Sequence, residues 1–265
     1  MNRIFQCKTN EGHIIKTLAE LLQNNIKSGC YEVTPEGISM RITDANKRIL
    51  IDLTLDHENF VLFRARKHIH LGLNQSHFYK MLKSIKKKDS ITLFIDEETP
   101  NDLGIEIVPK EKNRVTTSHV KVQNIQNLHI DIPGGYDRPI LIPSNEFQKM
   151  IKDMNNIGTI IEVSSKNRQV RFKCDAESVY KREVLFGEID PEYNLPEILQ
   201  EFDTEMLTRI SKISGLNNTM QIQQKEGLPL KITSSVGNLG QIAIYLKSKE
   251  QIEEDEMQVG SDDDK

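Results

Sequence analysis

The chain has 265 residues, 37% of them hydrophobic and 28% charged, no tryptophan and a formal net charge of -4. Such a composition suits a globular protein with one large or two medium cores, and no stretch approaches the roughly 18 to 20 apolar residues of a membrane helix. The N-terminal residues lack the apolar centre of a signal peptide, and Cys7, Cys30 and Cys174 are scattered, so a reducing intracellular compartment is expected and a disulfide framework is not.

Ile14, Ile15, Leu18, Leu21 and Leu22 recur at helical spacing. After Gly29 the chain alternates through CYEV and ISMRI into ILIDLTL, so strands follow the helix. The pattern then returns three times. A second helix begins near Asn74 with FYKMLKSI and leads into ITLFI and GIEIV. A third follows Pro143-Ser144 with FQKMIKDM, before TIIEV and QVRFK. A fourth follows Asp203-Thr204 with MLTRISKI, before MQIQQ, LPLKI and QIAIYL. Phe78-x-Lys80-Met81-Leu82-Lys83 aligns with Phe147-x-Lys149-Met150-Ile151-Lys152, which marks an internal repeat. Asn74 or Ser76 in one copy, and Ser144 after Pro143 in the other, suit a first helical turn.

Residues 1–118 and 140–249 therefore read as two similar domains of two repeats each. Residues 119–139 join them, broken near the end by Pro133-Gly134-Gly135. Val120, Val122, Ile125, Leu128, Ile130 and Ile132 make this linker too apolar for a free tether, so a strand at its start and a surface-packed remainder are expected. Residues 250–265 hold eight acids against Lys265; without them the body carries +3. That composition predicts a disordered acidic tail on a mildly basic body.

Basic residues stand three apart on three helices: Lys80 and Lys83, Lys149 and Lys152, Arg209 and Lys212. This spacing puts each pair on one face, away from the apolar positions. The first helix offers only Lys16, and Lys86 to Lys88 add charge beyond the second. One such pair is the ordinary solvated face of an amphipathic helix. Repeated on equivalent helices of a pseudo-symmetric fold, the charges sum into a regular basic surface, the footprint of duplex DNA. These faces lack aromatics for stacking single strands and carry no base-reading motif, so contacts with phosphates alone are expected.

His68-Ile69-His70 on a strand would put two imidazoles on one face, but no cysteine or carboxylate stands at ligand spacing in the sequence. Asp44, Asp52 and Asp56 read as structural, since no second cluster completes a metal site. No phosphate-binding glycine loop or nucleophile elbow is present, and neither a cofactor nor an enzymatic activity is expected.

The order and spacing of short fragments along the chain carry a family resemblance. They are Gly37-Ile38-Ser39-Met40 with Asp44, the LTL of 53–55, Gly72-Leu73-Asn74, Lys80-Met81-Leu82-Lys83, Ile132-Pro133, and Pro143-Ser144-x-Glu146-Phe147. Asn156-Ile157-Gly158, Leu228-Pro229-Leu230 and Leu239-Gly240-Gln241-Ile242-x-x-Tyr245-Leu246 continue the series. From Phe5 to about Glu254 the chain resembles the proliferating cell nuclear antigen family of DNA sliding clamps.

The resemblance implies an α+β clamp fold, two similar domains each with two helices on curved antiparallel sheets, and a homotrimeric ring. It implies that Lys16, Lys80, Lys83, Lys149, Lys152, Arg209 and Lys212 face double-stranded DNA. The subunit contact would pair an edge near Val115 and Val120 with one near Tyr180 and Val184. A pocket for short partner peptides would involve Thr43, Lys47, Leu50, Leu128, Ile130, Ile132, Pro229, Tyr245 and Leu246. DNA polymerase, clamp loader, flap endonuclease and DNA ligase are the implied partners, with no membrane. The implied location is the nucleus for a cellular eukaryotic chain, with the cytoplasm open to a viral one. Lys47 and Arg48 are more basic than the family's usual residues, and Lys247-Ser248 replaces a small residue and proline, which points to peptides with acidic flanks. Two other readings stay open: a clamp-related subunit of another assembly, either a checkpoint heterotrimer or a monomeric viral processivity factor, and a metal-dependent nuclease.

Overall fold

The computed structural model describes residues 2–127, 129–176, 179–190, 192 and 196–262, with side chains as far as Gln258. Its internal contacts divide it into two units. The first comprises 1–45, 51–130 and 235–242; the second comprises 46–50, 131–234 and 243–265.

The first half of the chain runs β1 (Arg3–Thr9), α1 (Gly12–Asn25), β2 (Ser28–Thr34), β3 (Gly37–Thr43), β4 (Ile49–Asp56) and β5 (Leu62–Ala65). It continues with β6 (Ile69–Asn74), α2 (Gln75–Leu82), β7 (Ser90–Asp96), β8 (Asp102–Val108) and β9 (Thr116–Lys121). The second half runs β10 (Ile140–Pro143), α3 (Ser144–Asn155), β11 (Ile160–Lys166), β12 (Gln169–Ala176), β13 (Tyr180–Phe186), β14 (Ile198–Asp203) and α4 (Thr204–Ile210). After a 3-10 turn at Ser211–Gly215 come β15 (Thr219–Gln223), β16 (Leu230–Ser235), β17 (Gly240–Leu246) and α5 (Lys249–Asp262). Each of the four repeats is a strand, a helix and three further strands, with β5 as an extra strand in the first half. The strand before each helix is what hydrophobic period alone does not separate from the repeat that precedes it.

In the first unit, α1 packs on α2. Its buried residues include Ile14, Ile15, Leu18, Leu21 and Leu22, the apolar stripe read from the sequence. On α2 the stripe is Phe78 and Leu82, and Asn74 caps the helix by accepting a hydrogen bond from the His77 N–H at 3.0 Å. One sheet runs β5-β1-β7-β8-β9, and β4, β3, β2 and β6 lie side by side in that order. Phe5, Ile91, Ile95, Leu103 and Ile105 alternate inward from the first of these, as half-buried strands require.

In the second unit, α3 packs on α4 and on the 3-10 turn after it. Phe147, Met150, Ile151 and Met154 are buried on α3, and Phe147 meets Phe172 edge to face with centroids 6.0 Å apart. Strands β13, β12, β11 and β14 form one sheet; β10, β15, β16 and β17 are neighbours in the other set. Burial of Phe172, Phe202, Leu207 and Ile232 makes this the apolar centre of the unit.

Strand β9 runs to Lys121 and so gives the 119–139 segment a strand at its start. The division between units falls within that segment, after Ile130. One expectation needs correction. The acidic tail is helical from Lys249 to Asp262 rather than disordered. Its start is a reciprocal cap. The Gln251 N–H donates to the Ser248 hydroxyl at 3.3 Å, and the Gln251 side-chain carbonyl accepts from the Ser248 N–H at 3.0 Å. This Ser-x-x-Gln box satisfies two end donors at once, a local signal that acidic composition obscured.

Candidate nucleic-acid interface and docking surface

In the first unit the basic residues of α1 and α2 meet. Lys80 and Lys83 are exposed on the side opposite Phe78 and Leu82. Lys16 is half-buried, and its ammonium donates to the backbone carbonyls of Lys83 at 2.8 Å and Ile85 at 3.1 Å. The Lys83 carbonyl lies at the C-terminal cap of α2, where helices leave acceptors unsatisfied and where positive charge is favoured, and that of Ile85 lies in the turn that follows. Lys16 therefore caps the neighbouring helix. Lys86, Lys87 and Lys88 are exposed in the following turn.

In the second unit Lys149 and Lys152 are exposed on α3. Lys149 pairs with Glu146 one turn earlier at 2.9 Å. Arg209 and Lys212 are half-buried, and they do not share one α-helix. Helix α4 stops at Ile210, and Lys212 sits on the tighter turn of Ser211–Gly215. Three residues complete a turn of that helix, so the two positions still lie one above the other.

The linker is anchored separately in each unit. In the first, the Gln123 N–H donates to the Gly72 carbonyl at 2.7 Å, and the Arg41 guanidinium reaches the Ile130 carbonyl at 3.0 Å while pairing with Asp52 at 3.1 Å. A β-carbon at position 72 would lie 2.1 Å from the Gln123 oxygen, so glycine is required for this approach. A polar cleft of about 320 Å³ lies beside it, lined by Glu32, Arg41, Asp52, Asn127 and His129 among others.

In the second unit the Tyr136 hydroxyl donates to the Pro229 carbonyl at 2.7 Å, and its ring lies 6.1 Å from that of Tyr245. The Lys231 ammonium stands over both rings, at 5.3 and 5.7 Å. Burial, followed by the neighbouring Tyr245, pushes the Tyr136 hydroxyl pKa up. Sequence reasoning misses Tyr136, whose only mark is an aromatic beside Gly134-Gly135.

The predicted docking residues distribute across both units. Lys47, Leu50, Ile132, Pro229, Tyr245 and Leu246 belong to the second; Thr43 and Ile130 belong to the first, and Leu128 lies outside the described residues. Lys47 is exposed, and Leu50, Ile132 and Pro229 are half-buried. Leu246 has 0% exposure, so it backs the surface from the core rather than lining it.

Both strands expected at a subunit contact end a sheet. β9 is the last strand beyond β8, and β13 the last beyond β12. Val115 precedes β9 and is 62% exposed; Tyr180 and Leu185 on β13 are 55% and 54% exposed, and Val184 is half-buried. Val120 is the exception. It faces inward opposite Leu103 and is buried, because the pleat turns alternate side chains to the core.

The sheet supplies what the His68-Ile69-His70 sequence lacked. The His68 Nε2 lies 2.8 Å from Glu32, and the His70 Nδ1 lies 3.9 Å from the Cys30 sulfur. Among the described residues, even so, no group of three or more such side chains is arranged to hold a metal ion. The three aspartates are separately used: Asp52 pairs with Arg41, Asp56 accepts from Asn59 at 3.4 Å, and Asp44 is buried.

Residues 4–130 match the family model for the proliferating cell nuclear antigen N-terminal domain. The chain is 27% identical over 253 residues to a protein of Paramecium bursaria Chlorella virus 1 named "Probable DNA polymerase sliding clamp 1", covering 92% of this chain and 97% of that one. It is 22% identical to the proliferating cell nuclear antigen of Dictyostelium discoideum over 256 residues, 93% of this chain and 99% of the relative. The corresponding protein of Chaetomium thermophilum is 25% identical over 256 residues, 93% and 98% of the two chains.

Proposed function

We propose that the chain, which matches the proliferating cell nuclear antigen N-terminal family model over residues 4–130 and is similar to members of that family over most of its length, is itself a DNA sliding clamp of that family, a ring that encircles duplex DNA and tethers DNA polymerase to it. Supporting this reading is one observation above the rest: basic residues stand at matching helical positions in successive repeats, and each unit ends a sheet in an exposed edge strand. Three copies joined head to tail, β9 of one beside β13 of the next, would close a symmetric ring and remove both open edges.

Lysine ammoniums are hydrated point charges that make shallow, interchangeable phosphate contacts, unlike the bidentate fork of arginine. A lining of Lys80, Lys83, Lys149 and Lys152 would hold the duplex without fixing its register, so sliding costs little. Retention comes from ring closure. Processivity comes from the raised effective concentration of a tethered enzyme at the primer end. In this reading the chain is a scaffold and breaks no bond.

Partners would dock by short peptides at the surface of the second unit around Lys47, Leu50, Ile132, Pro229 and Tyr245. Clamp loader, flap endonuclease and DNA ligase join polymerase as the proposed partners, at sites of replication in the nucleus or, for a virus, in the cytoplasm. Light scattering on the purified protein tests the assembly: the expected native mass is three times the 30.5 kDa of one chain. A mass of one chain at micromolar concentration would instead favour a monomeric processivity factor.

A further inference from the structure

The acidic helix α5 is docked by one face only. Ser248, Gln251, Ile252, Asp255 and Glu256 follow the spacing of 3, 4, 7 and 8 that lines one side of a helix. The Gln251 amide donates to the Gly227 carbonyl at 3.2 Å, Ile252 is half-buried, Asp255 pairs with Lys247, and Glu256 pairs with Arg48 at 3.2 Å. Glu250, Glu253, Glu254 and Met257 on the other side are exposed.

These contacts fall beside the proposed docking surface of the same unit. Gly227 is two residues from Pro229, Lys247 two from Tyr245, and Arg48 two from Leu50. Lys247 makes an ion pair with Asp255, and Ser248 makes the helix cap. The docked face has one half-buried apolar side chain and relies on ion pairs that remain partly exposed, a form of attachment that salt and competing anions loosen.

We propose that α5 is a competitor built into the chain: it occupies a basic strip formed by Arg48 and Lys247, and an acidic segment flanking an incoming partner peptide displaces it. This rests on the docking reading above. The strip would select partners with acidic flanks, since only these replace the two ion pairs that α5 gives up.

The test compares the full chain with the double variant Asp255→Asn, Glu256→Gln. Two fluorescent peptides with the same apolar docking core, one with an acidic flank and one with a neutral flank, serve as probes. The acidic-flank peptide is expected to bind the variant about 5-fold more tightly than the native chain at low salt, with the difference lost at about 0.5 M salt. The neutral-flank peptide is expected to change less than about 2-fold, since it gains no ion pair from the vacated strip. Equal gains for both peptides, or none for either, would overturn the proposal. If neither peptide binds either protein, the docking reading fails and α5 is judged separately. A polyglutamate peptide added to the native chain should then raise hydrogen exchange across residues 249–258, and unchanged exchange would end the competitor idea.

Discussion

The Lys16 ammonium lies 2.8 Å from the Lys83 carbonyl oxygen, so a lysine of the first helix closes the end of the second. Replacing it by methionine keeps the aliphatic stem and removes the donors. Lys16→Met is expected to lower unfolding free energy by about 1 kcal/mol, whereas Lys80→Met at an exposed site stays within about 0.5 kcal/mol. Urea denaturation of the two variants checks this difference.

DNA affinity should separate the same residues in the opposite sense. Each of Lys80→Ala, Lys83→Ala and Lys152→Ala is expected to reduce the slope of log affinity against log salt by roughly 1 for each phosphate left without its lysine, with sequence preference unchanged. Lys16, with two of its donors already engaged, should change the slope less. Salt titrations on two duplexes of unrelated sequence measure both quantities.

Much of this arrangement is legible in the sequence, and the reasons are local. Phe78 and Leu82, or Phe147 and Ile151, declare their buried faces by spacing alone, and the aligned lysines follow from the same register. Lys16 is legible only as a charge on a helix, since its acceptors lie 67 and 69 residues away along the chain. Val120 passes for an interface residue as long as the strand is recognised and its inward phase is not. For α5, the acidic composition argues for disorder, while the Ser248 and Gln251 box argues for a helix start.

Gly72 offers a test of the linker's anchorage. An alanine there must displace the Gln123 carbonyl, which would stand 2.1 Å from the new carbon. Gly72→Ala is expected to destabilise by roughly 1–3 kcal/mol and to release the neighbouring linker. Limited proteolysis should then cut within 122–130 faster than in the native chain, while the core resists.

The edges of the two units predict a loss of assembly without a loss of fold. Val115→Glu beside β9 and Leu185→Glu on β13 place charge on residues that are exposed in the single chain. Both variants should keep the native circular dichroism spectrum and fall from the trimer mass to that of one chain. Combining both should not lower the mass further.

Burial raises the Cys7 thiol from 9.0 to about 12, and the Tyr31 hydroxyl is pushed up for the same reason. Both groups are neutral when folded, so the folded state holds their protons more tightly than the unfolded chain. Stability is full below about pH 9 and falls as pH rises towards 12, by about 4 kcal/mol from Cys7 in the limit. Urea midpoints measured from about pH 8 to about pH 11 should decline, and Cys7→Ala should flatten that decline whatever it does to stability at neutral pH.

Topology decides the central claim. The protein, placed on a nicked circular duplex by a clamp-loading ATPase and passed over a sizing column in salt high enough to screen phosphate contacts, should elute with the DNA. Cutting the circle once should release it. Equal retention on circular and linear molecules would mean that surface attraction holds it, and an encircling ring would be the wrong account.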